Sequence, residues 1–383
     1  MKNFSFTIPQ DIRFGVGIVN ELANIVDEEN INKVFLVSDR GLEKAGLVQR
    51  IIDVINKSKA SCVSFLDVVP NPTNVVVDEA TKQFKESGAD CIIALGGGSS
   101  MDTAKGVAIL ASYGGTIMDY EGPNHVPGPT TPIIAIPTTA GTGSEVTRAA
   151  VFTNVENNWK FGVQSLRILP KISLLDPEMI TGLPPFVAAS TGVDALVHAI
   201  ESYISKNNNV YSEAMSEKAM ELLGANIRKF VADRSNVEAA SNMLLGSTLA
   251  GLAFSNASLG NVHAMSHPVS GHFGVAHGVA NAILLPAVLK YNELAADDKY
   301  EKIYNYIKKN KGNKEDYFVN EMLYEEIYTM LEDFDIPCKL SDVGVQEDKL
   351  SILADDALKS GNVKVNPRTS NKQNIIDIYK MAL

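Results

Sequence analysis

The first half of the chain alternates short apolar runs with stretches of helical periodicity. The apolar runs lie at residues 34–38, 62–66, 91–95 and 133–136. Continuous apolar runs of this length are typical of strands that are buried on both faces of a parallel sheet. The stretches between them predict helices after Gly41, from about Thr73 to Ser87 and from about Ser100 to Ser112. This βαβ order predicts a parallel sheet with helices on both faces.

The second half has a different pattern. From Pro184-Pro185 onward the periodicity is helical almost throughout, and no strand pattern of comparable strength occurs. The predicted helices lie at about 188–205, 210–230, 236–256, 279–292, 297–309 and 317–333. We therefore expect two domains, an α/β domain at residues 1–183 and an all-α domain at residues 184–383.

Composition excludes several classes of protein. Apolar residues make up 45% of the 383 residues and charged residues 21%, which excludes a mainly disordered chain. The net charge is 34 − 45 = −11, which disfavours binding to nucleic acid or to an anionic membrane. Cys62, Cys91 and Cys338 form no CxxC pair, so we expect neither disulfides nor a thiolate zinc site. Without a signal-peptide core or a membrane-length apolar stretch, we expect a soluble cytoplasmic protein.

A glycine turn, Gly96-Gly97-Gly98-Ser99, lies between a predicted strand and a predicted helix. Glycines let a ligand approach the backbone closely, and the free N–H groups at a helix N-terminus suit a pyrophosphate. Ser99 and Asp102 have capping-box spacing, which predicts that the helix begins there. The alternative is a tight turn before a capped helix, with no ligand.

A second loop, Pro137–Glu145, also follows a predicted strand and is rich in hydroxyl groups and glycine. In α/β sheets, ligands bind at the carboxyl ends of the strands. We therefore expect this loop and the glycine turn to converge on one dinucleotide. A surface loop whose hydroxyl groups bond their own backbone is the alternative.

Asp39 follows the first predicted buried strand. A carboxylate there accepts hydrogen bonds from ribose hydroxyls and repels a 2′-phosphate, which favours NAD over NADP. The usual fingerprint has the acid after the glycines, whereas here it precedes them. A solvated loop aspartate is the alternative.

Histidines are concentrated in one part of the chain. Four of the six lie within residues 263–277, namely His263, His267, His272 and His277. Upstream, Asp194 and His198 have i, i+4 spacing on a largely apolar predicted helix, so both project from one face. A carboxylate and imidazoles in apolar surroundings need partners, and this donor set suits Fe²⁺ or Zn²⁺ rather than Ca²⁺ or Mg²⁺. Hydrogen-bonded core histidines with a salt-bridged aspartate are the alternative.

Three further residues of this region carry smaller expectations. Pro268 is expected to end the local helix that carries His267. For Glu201, three residues after His198, a solvent-facing position is favoured over one behind a metal ligand. His125, in a loop with glycine and proline, is expected to be structural or solvated.

Six segments, in order, carry a resemblance to a known family. They are Gly96–Asp102, Pro137–Thr147, Thr191–Glu201, Phe254–Gly260, His263–Pro268 and His277–Pro286. Together they resemble the iron-containing (group III) alcohol dehydrogenases, near the members that act on propanediol, lactaldehyde and butanol. The resemblance covers nearly the whole chain. It implies a Rossmann-like N-terminal domain and a helical C-terminal domain, a dehydroquinate synthase-like architecture, with a cleft between them.

The resemblance also implies roles for individual residues. The metal ligands that it implies are Asp194, His198, His263 and His277. The cofactor-binding residues that it implies are Asp39, Asn71, Gly97, Gly98, Ser99, Asp102, Thr138, Thr139, Thr142 and Lys160. His267 would lie beside the metal as a catalytic residue and relay a proton. Phe254 would wall the substrate pocket.

The sequence departs from the resembled pattern at three positions. Ala149 and Ala150 stand where some members carry larger side chains, so we expect both to enlarge the substrate pocket. His272 stands where many members carry another residue, and we expect it to tune the pocket or the metal.

These features lead to one functional hypothesis, reversible hydride transfer between NAD(H) and a short primary alcohol, diol or aldehyde. Iron is favoured as the metal, with zinc as the alternative. Other members are dimers or larger, which implies a homodimer or higher homo-oligomer. Two other functions stay open: a zinc glycerol dehydrogenase-type oxidoreductase or related lyase on the same architecture, and a non-catalytic NAD or metal sensor.

Overall fold

The computed structural model describes residues 3–156, 159–310 and 317–383. It divides into two compact units. One is Thr7–Leu183. The other is Pro184–Leu383 together with the residues up to Phe6, which do not group with the unit that follows them in the chain.

The unit Thr7–Leu183 is built from strands and helices in alternation. Its strands are β1 (Asp11–Phe14), β2 (Lys33–Val37), β3 (Ser61–Phe65), β4 (Cys91–Gly96), β5 (Gly122–Pro123), β6 (Ile133–Pro137), β7 (Ala149–Asn154), β8 (Trp159–Gln164) and β9 (Ile172–Leu175). Its helices are α1 (Leu22–Glu28), α2 (Arg40–Lys44), α3 (Leu47–Ile55), α4 (Asn74–Ser87) and α5 (Gly98–Tyr113). Six strands form a parallel sheet in the order β1-β9-β6-β4-β2-β3, and β5, β8 and β7 form a second, small sheet.

Both faces of the large sheet are buried, as the continuous apolar runs predict. Leu36 and Ile93 point to the face that packs on α1 and α3. Phe35 and Ile92, their chain neighbours, belong to the core on the other face, with α4 and α5. Because successive side chains of a strand point to opposite faces, the one sheet contributes to a core on each side. The predicted α/β class is confirmed.

Two features of this unit differ from the expectation. The helix predicted after Gly41 is two helices, α2 and α3, separated by Gly46 in the left-handed conformation with φ 80°. Strands β1, β5, β7, β8 and β9 were not predicted. Four of them carry partly exposed residues and lack a long apolar run, so their assignment depends on pairing with neighbours rather than on local pattern.

The unit that begins at Pro184 consists of helices joined by turns and loops, with no strand among its described residues. Its helices are α6 (Pro185–Ile204), α7 (Val210–Ala232), α8 (Val237–Ala257), α9 (Asn261–Phe273), α10 (His277–Ala296), α11 (Tyr300–Ile307), α12 (Asn320–Asp333), α13 (Leu350–Ala357), α14 (Asn362–Val365) and α15 (Lys372–Met381). Among the described residues, no helix combines the length and apolar character needed to cross a bilayer.

Helix α9 does not end at Pro268, contrary to the expectation. The helix continues for five residues, to Phe273. Pro268 and the two residues after it are buried, so packing holds the chain helical although proline removes one backbone donor. A left-handed Gly274, with φ 67°, ends the helix instead.

The turn between α8 and α9 holds one strained residue. Ser258 has φ 59° and ψ −175°, a conformation that is essentially restricted to glycine. This turn leads directly into the helix that carries His263 and His267.

We expect replacement of Ser258 by glycine to stabilise the protein. Relief of the backbone strain stabilises the folded state by about 1–3 kcal/mol. A new glycine lowers stability by roughly 0.5–1 kcal/mol, because it increases the conformational entropy of the unfolded chain. The net gain expected is therefore about 1 kcal/mol, measured as the free energy of unfolding in urea. Ser258→Ala is the matched control, since it removes the hydroxyl but keeps the strain. An equal or lower stability of Ser258→Gly would contradict this account.

Candidate functional site

The glycine turn joins β4 to α5, as predicted, but the helix begins differently. Gly97 is the N-cap and α5 starts at Gly98, with no side-chain cap. The capping box predicted for Ser99 and Asp102 is therefore wrong. Asp102 instead accepts hydrogen bonds from Ser144 Oγ (2.9 Å) and from the backbone N–H of Val151 (3.0 Å). The first N–H groups of α5 thus lack a side-chain acceptor, and that arrangement suits an anion.

The two predicted loops lie side by side. Strand β4 pairs directly with β6, so their carboxyl ends are adjacent, and Thr138 N donates to Gly96 O at 3.0 Å. A Cβ atom at Gly98 would lie 2.9 Å from Thr142 Cγ2. Only glycine therefore allows this approach. A Cβ atom at Gly97 would lie 3.2 Å from Thr139 Cγ2. The glycine turn and the hydroxyl-rich loop form one continuous surface at the sheet edge.

Lys105 holds these two loops together. Its side chain is fully buried on α5, and its Nζ lies 2.7–3.2 Å from five oxygens, which share its three N–H donors. The acceptors belong to Ser144, Thr147 and Ala149. Burial lowers the pKa of Lys105 to about 8, and the charges of Asp102 and Glu145 oppose this shift. Sequence reasoning missed Lys105, although a lone lysine in an apolar helix was the available signal.

Asp39 lies at the carboxyl end of β2 and caps α2. Its Oδ1 accepts from the backbone N–H groups of Gly41 (2.8 Å) and Leu42 (3.0 Å). The N-cap role uses one carboxylate oxygen, so the second oxygen remains outside these bonds. The cap also explains locally why a carboxylate follows this strand.

Asn71 and Lys160 are brought together. Lys160 Nζ donates to Asn71 Oδ1 at 2.8 Å, although the two residues are 89 positions apart. Asn71 adopts a left-handed conformation, with φ 54°. Burial lowers the pKa of Lys160 to about 8. Two residues that the resemblance connects with the cofactor therefore share one polar contact.

In the helical unit, α6, α9 and α10 bring four predicted ligands into one cluster. Asp194, His198, His263 and His277 each offer one ligand atom, and these atoms all lie within 4.8 Å of one another. Asp194 Oδ1 is 3.9 Å from Nε2 of both His263 and His277. Asp194 Oδ2 is 4.0 Å from His198 Nδ1. His277 is partly exposed and the other three are buried.

The cluster fits a transition-metal ion. Bonds of about 2.0–2.2 Å place two ligand atoms on a shared metal about 3–4 Å apart, which matches the spacing around Asp194. Burial and the neighbouring imidazoles lower the pKa of His263 well below its ordinary value, so the ring is neutral and has a lone pair to donate. One carboxylate with three imidazoles suits Fe²⁺ or Zn²⁺.

Two polar residues that the sequence analysis did not assign contact the cluster. Asn281 Nδ2 lies 2.6 Å from Asp194 Oδ1 and 3.1 Å from Nε2 of His263 and of His277. It lies four positions after His277 on α10, which was the available signal. Glu201 is 2% exposed and contacts His263 Nδ1 at 2.5 Å. The expectation that Glu201 faces solvent is therefore wrong, because α6 is buried along nearly its whole length.

The ionisation of Glu201 depends on opposing effects. Burial raises its pKa to about 8, whereas the backbone N–H groups of Val262, His263 and Gly260 lower the pKa. A nearby cation also favours the carboxylate form.

His267 and Phe254 lie beside the cluster. The His267 ring centroid is 5.3 Å from that of His277 and 6.3 Å from that of His263. Phe254 stacks on His198 with a centroid distance of 4.6 Å. His267 is partly exposed and follows His263 by one helical turn.

The structure also describes the surroundings of four other predicted positions. His272 is exposed, and its Nε2 lies 2.8 Å from Asp356 Oδ2. His125 is exposed, and its Nδ1 contacts Glu121 O. Ala150 is 1% exposed and belongs to an apolar core, so its expected place in a pocket is wrong. Ala149 is partly exposed at the start of β7.

The structure thus combines a parallel α/β sheet that carries a glycine turn with a helical unit that carries a buried carboxylate–imidazole cluster, features that suit a dinucleotide and a metal ion. Two family models cover the chain, that of iron-containing alcohol dehydrogenase over residues 9–177 and that of the Fe-containing alcohol dehydrogenase family, C-terminal, over residues 188–383. The chain belongs to the iron-containing alcohol dehydrogenase family.

Similar proteins align over the full chain. The 1,3-propanediol dehydrogenase of Citrobacter freundii is 38% identical over 386 residues, which cover 100% of this chain and 99% of the relative. The NAD-dependent methanol dehydrogenase of Bacillus methanolicus is 33% identical over 379 residues, covering 99% and 100%. A crystal structure of a 1,3-propanediol oxidoreductase matches with a TM-score of 0.95 at 38% identity, covering 100% of both chains.

We expect replacement of Lys105 by methionine to destabilise the protein by about 3 kcal/mol, because three buried backbone carbonyls lose their donor. The free energy of unfolding in urea measures this cost. Lys82→Met, an exposed lysine on α4, is the control and should change stability by less than about 0.5 kcal/mol. Equal stability of the two variants would show that Lys105 does not hold the loops.

Proposed function

We propose that this protein transfers hydride reversibly between NAD(H) and a short primary alcohol, diol or aldehyde. The observation that carries the proposal is the buried cluster of Asp194, His198, His263 and His277, whose ligand atoms lie within 4.8 Å of one another. We propose that these four residues hold Fe²⁺, with Zn²⁺ as the second candidate.

We propose that the unit Thr7–Leu183 binds the dinucleotide and that the helical unit binds the metal. The pyrophosphate would be held by the backbone of Gly97, Gly98 and Ser99 at the start of α5. The hydroxyl groups of Thr138, Thr139 and Thr142 line the same edge of the sheet, with Asp102 behind them. Asp39 would bind the adenosine ribose, and Lys160 and Asn71 would bind the other ribose through their shared polar contact.

When bound, the metal supplies a Lewis acid that polarises a carbonyl oxygen or acidifies an alcohol, and NAD(H) accepts or supplies the hydride. Side chains of the protein itself carry out the remaining roles. His267 holds or moves a proton at its ring nitrogen, since it lies beside the cluster and is partly exposed. Phe254 excludes water from one side of the cluster, because its ring covers His198.

We propose a small aliphatic substrate with one reactive carbonyl or hydroxyl group. The names of the relatives point to this class, since one acts on 1,3-propanediol and another on methanol. Ala149 is a candidate for the pocket wall because it is small and partly exposed. A pocket that differs by one methylene group discriminates substrates by only about 1–3 kcal/mol.

We also propose a homodimer or higher homo-oligomer in the cytoplasm. Strand β1 is an edge of the large sheet and exposes Phe14, which suits pairing with a second copy. Cys62, Cys91 and Cys338 are all free thiols, as a reducing compartment requires.

The test is anaerobic reconstitution of metal-stripped protein. We expect NADH oxidation with propanal, butanal or lactaldehyde to return on addition of Fe²⁺ or of Zn²⁺, and to remain absent without either metal. Consumption of NADH is followed by absorbance. Bound NADH and metal without turnover on any of these aldehydes would overturn the proposal in favour of a non-catalytic sensor.

Two variants serve as controls in the same assay. His263→Ala should lose both metal and activity, because it removes a ligand. His267→Gln should keep the metal while the rate falls roughly 100-fold, the usual loss for a proton-transfer group. Metal content is measured directly on both proteins. Loss of metal from His267→Gln would assign His267 to the ligand set instead.

We expect Asp39→Ser to relax the preference for NADH. Serine preserves the N-cap of α2 but removes the charge that repels a 2′-phosphate. The ratio of kcat/KM for NADPH to that for NADH should rise roughly tenfold, equivalent to about 1.4 kcal/mol. Asp53→Ser, on the exposed face of α3, is the matched control. An unchanged ratio in Asp39→Ser would show that Asp39 does not bind the ribose.

A further inference from the structure

The ring of His263 is held on the side opposite to the cluster. Its Nδ1 lies 2.5 Å from Glu201 Oε2, while its Nε2 faces Asp194 Oδ1 at 3.9 Å. Both Glu201 and His263 are 2% exposed, so water does not compete for this contact. Glu201 belongs to α6 and His263 to α9, and the contact joins the two helices directly behind the proposed metal.

Both oxygens of Glu201 face donors at the start of α9. Oε1 accepts a hydrogen bond from the backbone N–H of Val262 at 2.7 Å, and Oε2 takes the contact with the His263 ring. A Cβ atom at Gly260 would lie 2.8 Å from Oε1, so only glycine leaves space for the carboxylate. The carboxylate also lies at the N-terminus of a helix of thirteen residues, where negative charge is favoured.

The first turn of α9 is anchored independently. Asn366 Oδ1 accepts from the backbone N–H of Asn261 and from Asn292 Nδ2, both at 3.1 Å. Asn366 Nδ2 donates in return to Asn292 Oδ1 at 2.7 Å. These buried bonds connect α9 with α10 and with the segment after α14. The donors that face Glu201 are therefore held in place by the fold.

This geometry constrains the tautomer of His263. A carboxylate only accepts hydrogen bonds, so when Glu201 is ionised the ring nitrogen that faces it carries the proton. With the proton on Nδ1, the lone pair of Nε2 points at the cluster, which is the form that binds a metal.

We propose that Glu201 is a positioning residue of the metal site, which holds His263 as the Nδ1–H tautomer with Nε2 directed at Asp194. The inference rests on the proposed metal site for its consequence, but the tautomer itself is a property of the protein alone. Glu201 touches neither cofactor nor substrate in this role and acts through His263.

Glu201→Gln tests this role, because glutamine has nearly the same volume as glutamate. The donors Val262 N–H and His263 Nδ1–H face different oxygens of Glu201, and glutamine has an oxygen at only one of these two positions. If it accepts from Val262, its NH₂ group faces the ring and forces the proton onto Nε2. We expect affinity for Zn²⁺ and Fe²⁺, measured by competition with a chelator, to fall roughly 10–100-fold, as is usual for partners behind a ligand.

Glu326→Gln is the matched control. Glu326 is a largely buried carboxylate of the same unit, paired with Arg228 at 2.7 Å and separate from the cluster. Its loss should lower stability and leave metal affinity unchanged. Equal metal affinity in wild type and Glu201→Gln would overturn the proposal, and an equal loss in both glutamine variants would assign the effect to general destabilisation.

A second measurement needs no variant. Selective ¹⁵N labelling of histidine, with NMR spectra of metal-free wild-type protein, reports which ring nitrogen of His263 carries the proton. We expect Nδ1–H at pH 9, where Glu201 is ionised, and a ring protonated at Nε2 alone would overturn the proposal. If wild type shows the Nδ1–H tautomer but binds neither metal, the proposed function fails while the positioning role stands, so the two failures are distinguishable.

Discussion

The carboxylate of Asp194 lies among imidazoles inside a helical unit, out of contact with water. A charge removed from water costs several kcal/mol unless opposite charges or hydrogen bonds replace its hydration. Asn281 replaces part of that hydration by donating to Asp194 Oδ1. The three imidazoles are placed so that they and Asp194 could bind one cation together. Helices α6, α9 and α10 must pack so that these groups meet. The packing of these three helices is therefore what brings the donor set together.

The same physical constraint operates in the sheet-containing unit. Lys105 is fully buried, and the only way to compensate its ammonium group is a set of oxygens at hydrogen-bond distance. The loop after β6 and the first residue of β7 supply five contacts from three residues. Asp102 takes a further bond from Ser144 in that loop. Buried polar side chains thus hold the loop in the shape that the glycine turn requires.

Much of the fold was predictable because its signal is local. Apolar runs such as 91–95 and 133–136 match β4 and β6 within one residue, since a strand buried on both faces has apolar residues throughout. The half-exposed strands, such as β7 and β8, have no such run. Pro268 shows the opposite error, because a strong local rule for helix ends was overridden by tertiary burial.

The amino-acid sequence by itself determined the parallel α/β class, the all-helical second half, the two loops at one sheet edge and the residues of the carboxylate–imidazole cluster. The fold class and the loops follow from periodicity and from spacing along single elements, whereas the choice of ligands among the histidines came from the family resemblance. Tertiary structure alone decided what surrounds each polar group. Glu201 is buried behind His263, Asn281 contacts three cluster residues, and Ala150 lies in a core rather than a pocket. The reason is that the partners of a side chain come from segments far apart in the chain. Glu201 and His263, for example, are 62 positions apart. A local sequence pattern carries no information about which distant segments will meet.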